Sequence, residues 1–376
     1  MIPFNKPFIV GKELEYIKEA VEKGKLSGDG HFTNKCQHWL EENYQVKKAL
    51  LTTSCTDALE MAAILLDIKP GDEVIVPSFT FVSAANAFVL RGANIVFADI
   101  EPNTFNIDPD GLPSLISSKT KAIVLVHYAG IACQMDEISA IAESNNIPII
   151  EDVALAMDAF YKKQALGSIG TFATWSFHET KNIICGEGGA LGINNPKYCE
   201  RAEIIREKGT NRSKFFRGET KQYEWVDIGS SFLPSEINAA YLFAQLQQKD
   251  EIQKKRIKIW DNYHTHLKDL EAKGFLKLPV VPDYATKNGQ LFHILCRTHK
   301  ERNDLIQHLG KHGIKAVFHY LPLHLSSYYQ QDINNKHIHL PICEDISERI
   351  VRLPLFYSMT AQEQEHVIKN LIKFYI

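Results

Sequence analysis

Apolar residues change their period along this chain, and each change marks an element. Leu14, Ile17 and Val21 recur at helical spacing and predict a helix over 11–23. The glycine-rich stretch 24–30 breaks it, and a second amphipathic helix is expected over 32–43. A short strand at 49–51 runs into the polar T-T-S-C-T-D and then into an apolar helix. Buried strands are expected at 73–76, 94–98, 121–126 and 147–150, with a helix over 134–145. A β-rich apolar run follows at 172–177. Strands alternating with helices imply an α/β fold, a mostly parallel sheet covered on both faces.

The pattern changes near residue 247. The stretch A-Y-L-F-A-Q-L-Q-Q-K-D-E-I-Q-K-K-R-I-K-I-W reads as one long charged helix, and a domain boundary is expected within it. Beyond it, L-F-H-I-L-C-R is a strand, D-L-I-Q-H-L-G-K-H-G a helix ending in glycine, and V-I-K-N-L-I-K-F-Y-I a closing helix. The expected organisation is a large domain, 1–247, and a smaller α+β domain, 248–376. A chain of 376 residues exceeds what one core usually serves.

Composition narrows the function classes. With 45% hydrophobic residues and a net charge of −3, the chain can build a sizeable core, and no block of like charge invites nucleic acid. Seven scattered cysteines without a C-x-x-C pair read as reduced thiols. No apolar run suits a signal peptide or a membrane span, so a cytoplasmic protein is expected. Several histidines fall in 293–338, but none has zinc spacing with a third ligand nearby.

Candidate chemistry collects where strands end. In parallel sheets, ligands sit beyond the carboxyl ends of the strands. Phe79 and Phe81, His127, and Glu151 with Asp152 all fall there. A carboxylate ending an apolar strand is costly unless it meets a cation, whether a ligand's, a nearby Arg or Lys, or a helix N-terminus. Ser54, Cys55 and Thr56 open a helix, which suits a phosphate but equally suits ordinary capping. The run T-F-A-T-W-S-F-H-E-T-K-N-I-I-C-G-E-G-G-A brings Ser176, His178 and Lys181 into one loop. A lysine among aromatics and glycines can be a desolvated nucleophile that forms a Schiff base, or an exposed loop lysine; this stretch alone does not decide.

Taken together, S-F-H-E-T-K-N followed by G-E-G-G, E-D at a strand end and Y-L-P-L-H downstream resemble the DegT/DnrJ/EryC1/StrS sugar aminotransferases. The resemblance covers nearly the whole chain. It implies the aspartate-aminotransferase fold (fold type I), pyridoxal 5'-phosphate (PLP) as cofactor and a nucleotide-linked keto sugar as substrate. Within the family, M-I-P-F-N, L-S-G-D-G, V-H-Y-A-G and R-E-K-G-T-N-R-S-K-F-F-R-G resemble the branch that aminates dTDP-linked 4-keto-6-deoxyhexoses for enterobacterial common antigen. The implied donor is L-glutamate and the implied assembly a homodimer with shared active sites.

Carried onto this chain, the resemblance makes Lys181 the PLP lysine and proton-moving base, and Asp152 the partner of the pyridine nitrogen. Phe81, with Phe79 as substitute, stacks on the ring, while Ser54, Cys55, Thr56 and Ser176 hold the phosphate. Ser231, in G-S-S-F-L-P-S-E-I-N-A-A, is the candidate contact from the neighbouring subunit. His178, Arg212, Tyr320 and His324 are the candidate substrate contacts, Arg212 lying in the basic loop 208–217. One position departs from the family. Leu155 stands where relatives usually carry Gln or His bonded to the cofactor's 3-hydroxyl, a loss of about 1 kcal/mol. The alternatives are a C3-keto sugar substrate or a non-catalytic sugar-nucleotide-binding relative. A sugar dehydratase is disfavoured, because relatives with that chemistry carry His at the position of Lys181.

Overall fold

The apolar runs pair as strands because their side chains can be buried on both faces at once. In the computed structural model, which describes residues 1–331 and 338–376, they are β1 (Lys48–Thr52), β2 (Glu73–Pro77), β3 (Asn94–Ala98), β4 (Thr120–Val126) and β5 (Ile149–Asp152). A small hairpin, β6 (Phe160–Tyr161) and β7 (Gln164–Ala165), precedes β8 (Phe172–Ser176) and β9 (Gly189–Ile193). Seven strands form one sheet in the order β1-β9-β8-β5-β4-β2-β3. The pairs among β8, β5, β4, β2 and β3 are parallel; β9 alone runs against its neighbours.

Alternation along β4 shows why both faces are covered. Ile123 and Leu125 pack in one core with α1 (Glu13–Glu22) and α2 (His31–Tyr44), whereas Ala122, Val124 and Val126 pack in another with α3 (Cys55–Leu65) and α4 (Ser83–Val89). Between the strands lie α5 (Leu112–Leu115) and α6 (Met135–Ser144), and after them α7 (Cys199–Arg206), α8 (Arg212–Phe216) and α9 (Glu236–Gln247). The expected α/β architecture is what forms. β5 begins two residues later than expected and takes in Glu151 and Asp152.

The expected long charged helix is two helices. α9 ends at Gln247 and α10 (Lys249–Ala272) begins after Gln248, whose φ of −106° and ψ of 15° break the α-helical path. No glycine or proline marks that break, so spacing could not show it. Beyond it, β10 (Leu276–Lys277), β11 (Phe292–Cys296) and α11 (His299–Lys311) are followed by α12 (Pro341–Arg349), β12 (Ile350–Leu353) and α13 (Ala361–Tyr375). The three strands make an antiparallel sheet, β10-β11-β12, with a core of its own. Ile2 joins that core and bridges to Ile314, so the chain's first residues pack on its last third. Among the described residues no helix is long and apolar enough to cross a membrane.

Candidate active site

One cavity of about 1050 Å³ opens at the carboxyl ends of the parallel strands. Its walls come from the large sheet's loops and from the later segments 290–291, 315–320 and 352–355. That volume lies at the upper end for small-molecule pockets and has room for a cofactor together with a substrate.

The start of α3 forms one wall. Ser54 caps the helix, its Oγ accepting from Asp57 N–H at 3.1 Å, so the capping expected of this serine is real. Capping uses one first-turn N–H; those of Cys55 and Thr56, which also line the cavity, remain outside the helical ladder. Thr56 Oγ1 and Ser83 Oγ are 2.8 Å apart. Burial, together with Asp152, keeps the Cys55 thiol protonated. Glycine at 189 permits this arrangement. A Cβ there would stand 2.3 Å from the Ser54 carbonyl carbon and 2.4 Å from Cys55 N.

Asp152 ends β5 and faces the cavity, while Glu151 faces the other way, as strand alternation demands. Their roles separate completely. Glu151 is fully buried and accepts from Gly167 N–H (2.9 Å), Ile169 N–H (2.8 Å), Gly170 N–H (2.6 Å) and His127 Nε2 (3.1 Å). Cys133 N–H donates to His127 Nδ1, which leaves the ring proton on Nε2 for Glu151. These two strand-end candidates therefore serve the scaffold. For the Asp152 carboxylate, the one hydrogen-bond donor among the described residues is Ala154 N–H, at 2.9 Å. Burial raises its pKa, and Ala154 N–H, Lys181 and His127 oppose the rise.

Lys181 lies in the same cavity, in the turn after β8. Burial lowers its pKa, and Asp152 only partly offsets this, so the amine is biased toward the neutral, nucleophilic form. Beside it, Ser176 Oγ accepts weakly from His178 N–H at 3.5 Å. His178 Nδ1 accepts from Thr180 N–H at 3.2 Å, and its Nε2 is 3.6 Å from Glu187. The Phe81 ring lines the cavity and is 59% exposed, whereas Phe79 is buried against Tyr128, Phe105 and Tyr320. Of the two aromatics, Phe81 is the one available to a ligand. Leu155 is buried in the cavity wall, and its side chain can offer no hydrogen bond.

Not every candidate comes to the cavity. Tyr320 does, stacked on His319 with centroids 3.6 Å apart. His324 does not; it is fully buried, with Nδ1 2.7 Å from Ser78 Oγ and Nε2 3.1 Å from Glu344. Its reading as a sugar contact is corrected accordingly, because one ring nitrogen is engaged by Ser78 at the end of β2 and the other by Glu344 of α12. Arg212 and Ser231 lie outside this cavity, Arg212 packed over Phe216 and Ser231 exposed and bridged to Glu207. His337 lies outside the described residues, and no cluster of metal-ligating side chains occurs among the described ones. Sequence reasoning missed Arg352, Gln290 and Lys315, all in the cavity wall. For Arg352 a signal existed: a charge inside the apolar run I-V-R-L-P-L.

A planar, phosphate-bearing pyridine fits these residues. Free first-turn N–H groups, a buried carboxylate that forms no ion pair among the described residues, a desolvated amine and an accessible aromatic ring share one cavity. Comparison with known proteins agrees. The chain is 32% identical over 375 residues to the spore coat polysaccharide biosynthesis protein SpsC of Bacillus subtilis, covering 98% of this chain and 95% of that protein. It is also 32% identical over 375 residues to GDP-perosamine synthase of Escherichia coli O157:H7, covering 100% and 98%. Among solved structures, the sugar aminotransferase Spr1654 of Streptococcus pneumoniae in its PMP form superposes with a TM-score of 0.91 at 27% identity, over 100% of this chain and 99% of that one. Residues 7–372 match the family throughout, and the chain belongs to the DegT/DnrJ/EryC1/StrS aminotransferases, PLP-dependent enzymes of sugar metabolism.

Proposed function

We propose that this aminotransferase moves the amino group of L-glutamate to the C4 ketone of dTDP-4-keto-6-deoxy-D-glucose, giving dTDP-4-amino-4,6-dideoxy-D-galactose. It would do so in the cytoplasm, for surface-polysaccharide synthesis. The observation that carries the chemistry is Lys181 and Asp152 in one cavity with the start of α3. Support for the substrate is the resemblance of L-S-G-D-G, V-H-Y-A-G and R-E-K-G-T-N-R-S-K-F-F-R-G to the dTDP branch.

In this reading the first-turn N–H groups of α3, with Ser176, hold the phosphate, and Phe81 covers one face of the ring. Asp152 keeps a positive charge on the pyridine nitrogen. When bound, PLP supplies an electron sink for the pair left behind when a proton leaves carbon. Lys181 Nζ, held toward neutrality by burial, takes that proton from the donor's α-carbon. In the second half of the cycle it returns a proton to C4 of the sugar. Tyr320 and His178, both in the cavity wall, contact the sugar.

The same reading includes a division into 1–247 and 248–376, with the cavity between the two parts, and a homodimer. Support for the dimer lies in the segment after α7, where Phe216, Tyr223 and Trp225 are exposed. Arg212 and Ser231, which do not line the cavity of their own chain, would reach the partner's.

Purified protein, loaded with PLP and reduced by L-glutamate, can be offered keto-sugar nucleotides one at a time. Restoration of the PLP spectrum fastest with the dTDP-linked 4-keto sugar supports the proposal. Faster restoration by a 3-keto or GDP-linked sugar refutes the assignment of substrate.

A further inference from the structure

The cavity has a deep end and a mouth, and one stretch of chain runs between them. Lys315, Val317, Phe318 and His319 all line the wall. Lys315 is exposed, Phe318 is 50% exposed and His319 is buried. Burial holds the His319 imidazole neutral, and the charges of Arg352 and Lys181 add to this, which places His319 at the reacting end. Extended backbone from 315 to 319 spans about 13 Å. The mouth is held firmly. Lys315 N–H donates to Ile2 O at 3.0 Å, and Val317 exchanges both backbone bonds with Arg352 of β12, at 2.7 and 3.1 Å. Two side chains there are open to a ligand. Lys315 makes no ion pair or side-chain hydrogen bond among the described residues, and it is the one exposed side chain among the Lys and Arg of the wall. The Phe318 ring carries the Arg302 guanidinium 5.5 Å from its centroid, yet half of its surface stays open.

We propose that Lys315 and Phe318 hold the nucleoside-diphosphate end of the sugar nucleotide, Lys315 pairing with a phosphate and Phe318 stacking on the base. The inference rests on the proposed sugar-nucleotide reading and adds the far end of the substrate to it. Ligand length makes the match. The reacting ketone carbon must reach Lys181, whereas the phosphates hang from C1, across the sugar ring from C4. The ligand therefore extends from the deep end toward the mouth, along the wall that runs from His319 to Lys315. An ammonium on a flexible stem meets a phosphate as a point charge and demands no single geometry. An aromatic face takes a planar base whatever that base's hydrogen-bonding edge. Glu179 and Glu187, the exposed carboxylates of the same wall, repel an anion and leave the Lys315 side for the phosphates.

The test is calorimetric binding of dTDP to the PLP-loaded protein, in wild type, Lys315→Gln, Phe318→Leu and, as a control outside the cavity wall, Lys277→Gln. Thermal unfolding checks that each variant is folded. Loss of an exposed cation–phosphate pair should weaken dTDP about fivefold in Lys315→Gln at low salt, and the difference should shrink as salt is raised. Phe318→Leu keeps apolar bulk but loses the ring face, and should weaken dTDP about 5- to 10-fold at every salt concentration. Lys277→Gln should bind as wild type does. The inference is overturned if Lys315→Gln and Phe318→Leu also bind as wild type, if Lys277→Gln weakens dTDP equally, or if wild type binds no nucleoside diphosphate. Weakening in one variant alone strikes the other residue from the subsite. Glutamate bleaching of the PLP band in wild type tests the aminotransferase reading separately. If bleaching fails while dTDP still depends on both residues, that reading falls and the subsite stands. Tighter binding of GDP or UDP than of dTDP refutes the substrate proposed above, and the same variants with that nucleotide then decide the subsite.

Discussion

Gly189→Ala should loosen PLP while leaving the fold recognisable. The new Cβ would stand 2.3 Å from the Ser54 carbonyl carbon, where an ordinary contact is 3.4 Å or more. The start of α3 must then retreat by the difference, 3.4 − 2.3, about 1.1 Å. Backbone cannot swing aside as a flexible side chain can, so the helix start moves or the strand bends. Overpacking of this kind costs about 1–3 kcal/mol. A retreat of that size also spoils N–H bonds to a phosphate, and one such bond is worth about 1.5 kcal/mol, roughly tenfold in affinity.

Gly192→Ala separates the two effects. It lies on the same strand, and its Cβ would strike the Trp175 ring at 2.5 Å, in the core and away from α3. Titration of each apoprotein with PLP, followed by absorbance, should show affinity about tenfold weaker for Gly189→Ala. For Gly192→Ala the affinity should be unchanged, although both variants lose thermal stability. Equal PLP affinity in the two variants would refute the claim that Gly189 positions the phosphate-binding helix start.

Other perturbations test other parts of the site. Asp152→Asn removes the negative partner of the pyridine nitrogen and should slow glutamate bleaching by about 10- to 100-fold in stopped flow; an unchanged rate contradicts its role. Glu151→Gln leaves two of four buried donors without an acceptor and should cost about 3 kcal/mol. With about 2.1 cal/mol/K per residue over 376 residues, that lowers Tm by about 4 °C. In a His127→Ala background the penalty should shrink; full additivity by calorimetry would sink the pairing. Glu207 is pushed up to about 7 by burial and by Asp29. A raised carboxyl binds more protons folded than unfolded, so its contribution to stability falls as pH rises from 4.5 through about 7. Glu207→Gln should therefore flatten the Tm-versus-pH curve across that window, and an unaltered curve rules the coupling out.

Much of this site was readable from the chain. Lys181, Asp152 and the Ser54–Thr56 turn lie at strand ends, where periodicity places them, and they meet in one cavity. What period could not decide was partnership. Glu151 and Asp152 are adjacent and chemically alike, yet the loop 167–170 captures one and the cavity the other. His324 shares its loop with Tyr320, but Ser78 and Glu344, far off in sequence, occupy both its nitrogens. The break at Gln248 carries no helix-stopping residue, so nothing in the local sequence announces it. Arg352 was overlooked for the opposite reason: a lone charge in an apolar run was visible but not weighed.

The central claim is that Lys181 is the amine that takes up PLP and moves the proton. An absorption spectrum of the purified protein with PLP, then with L-glutamate, tests it most directly. The account predicts a visible band that glutamate bleaches and that is missing from Lys181→Ala. A band of equal strength in Lys181→Ala, or none in wild type at saturating PLP, would contradict it.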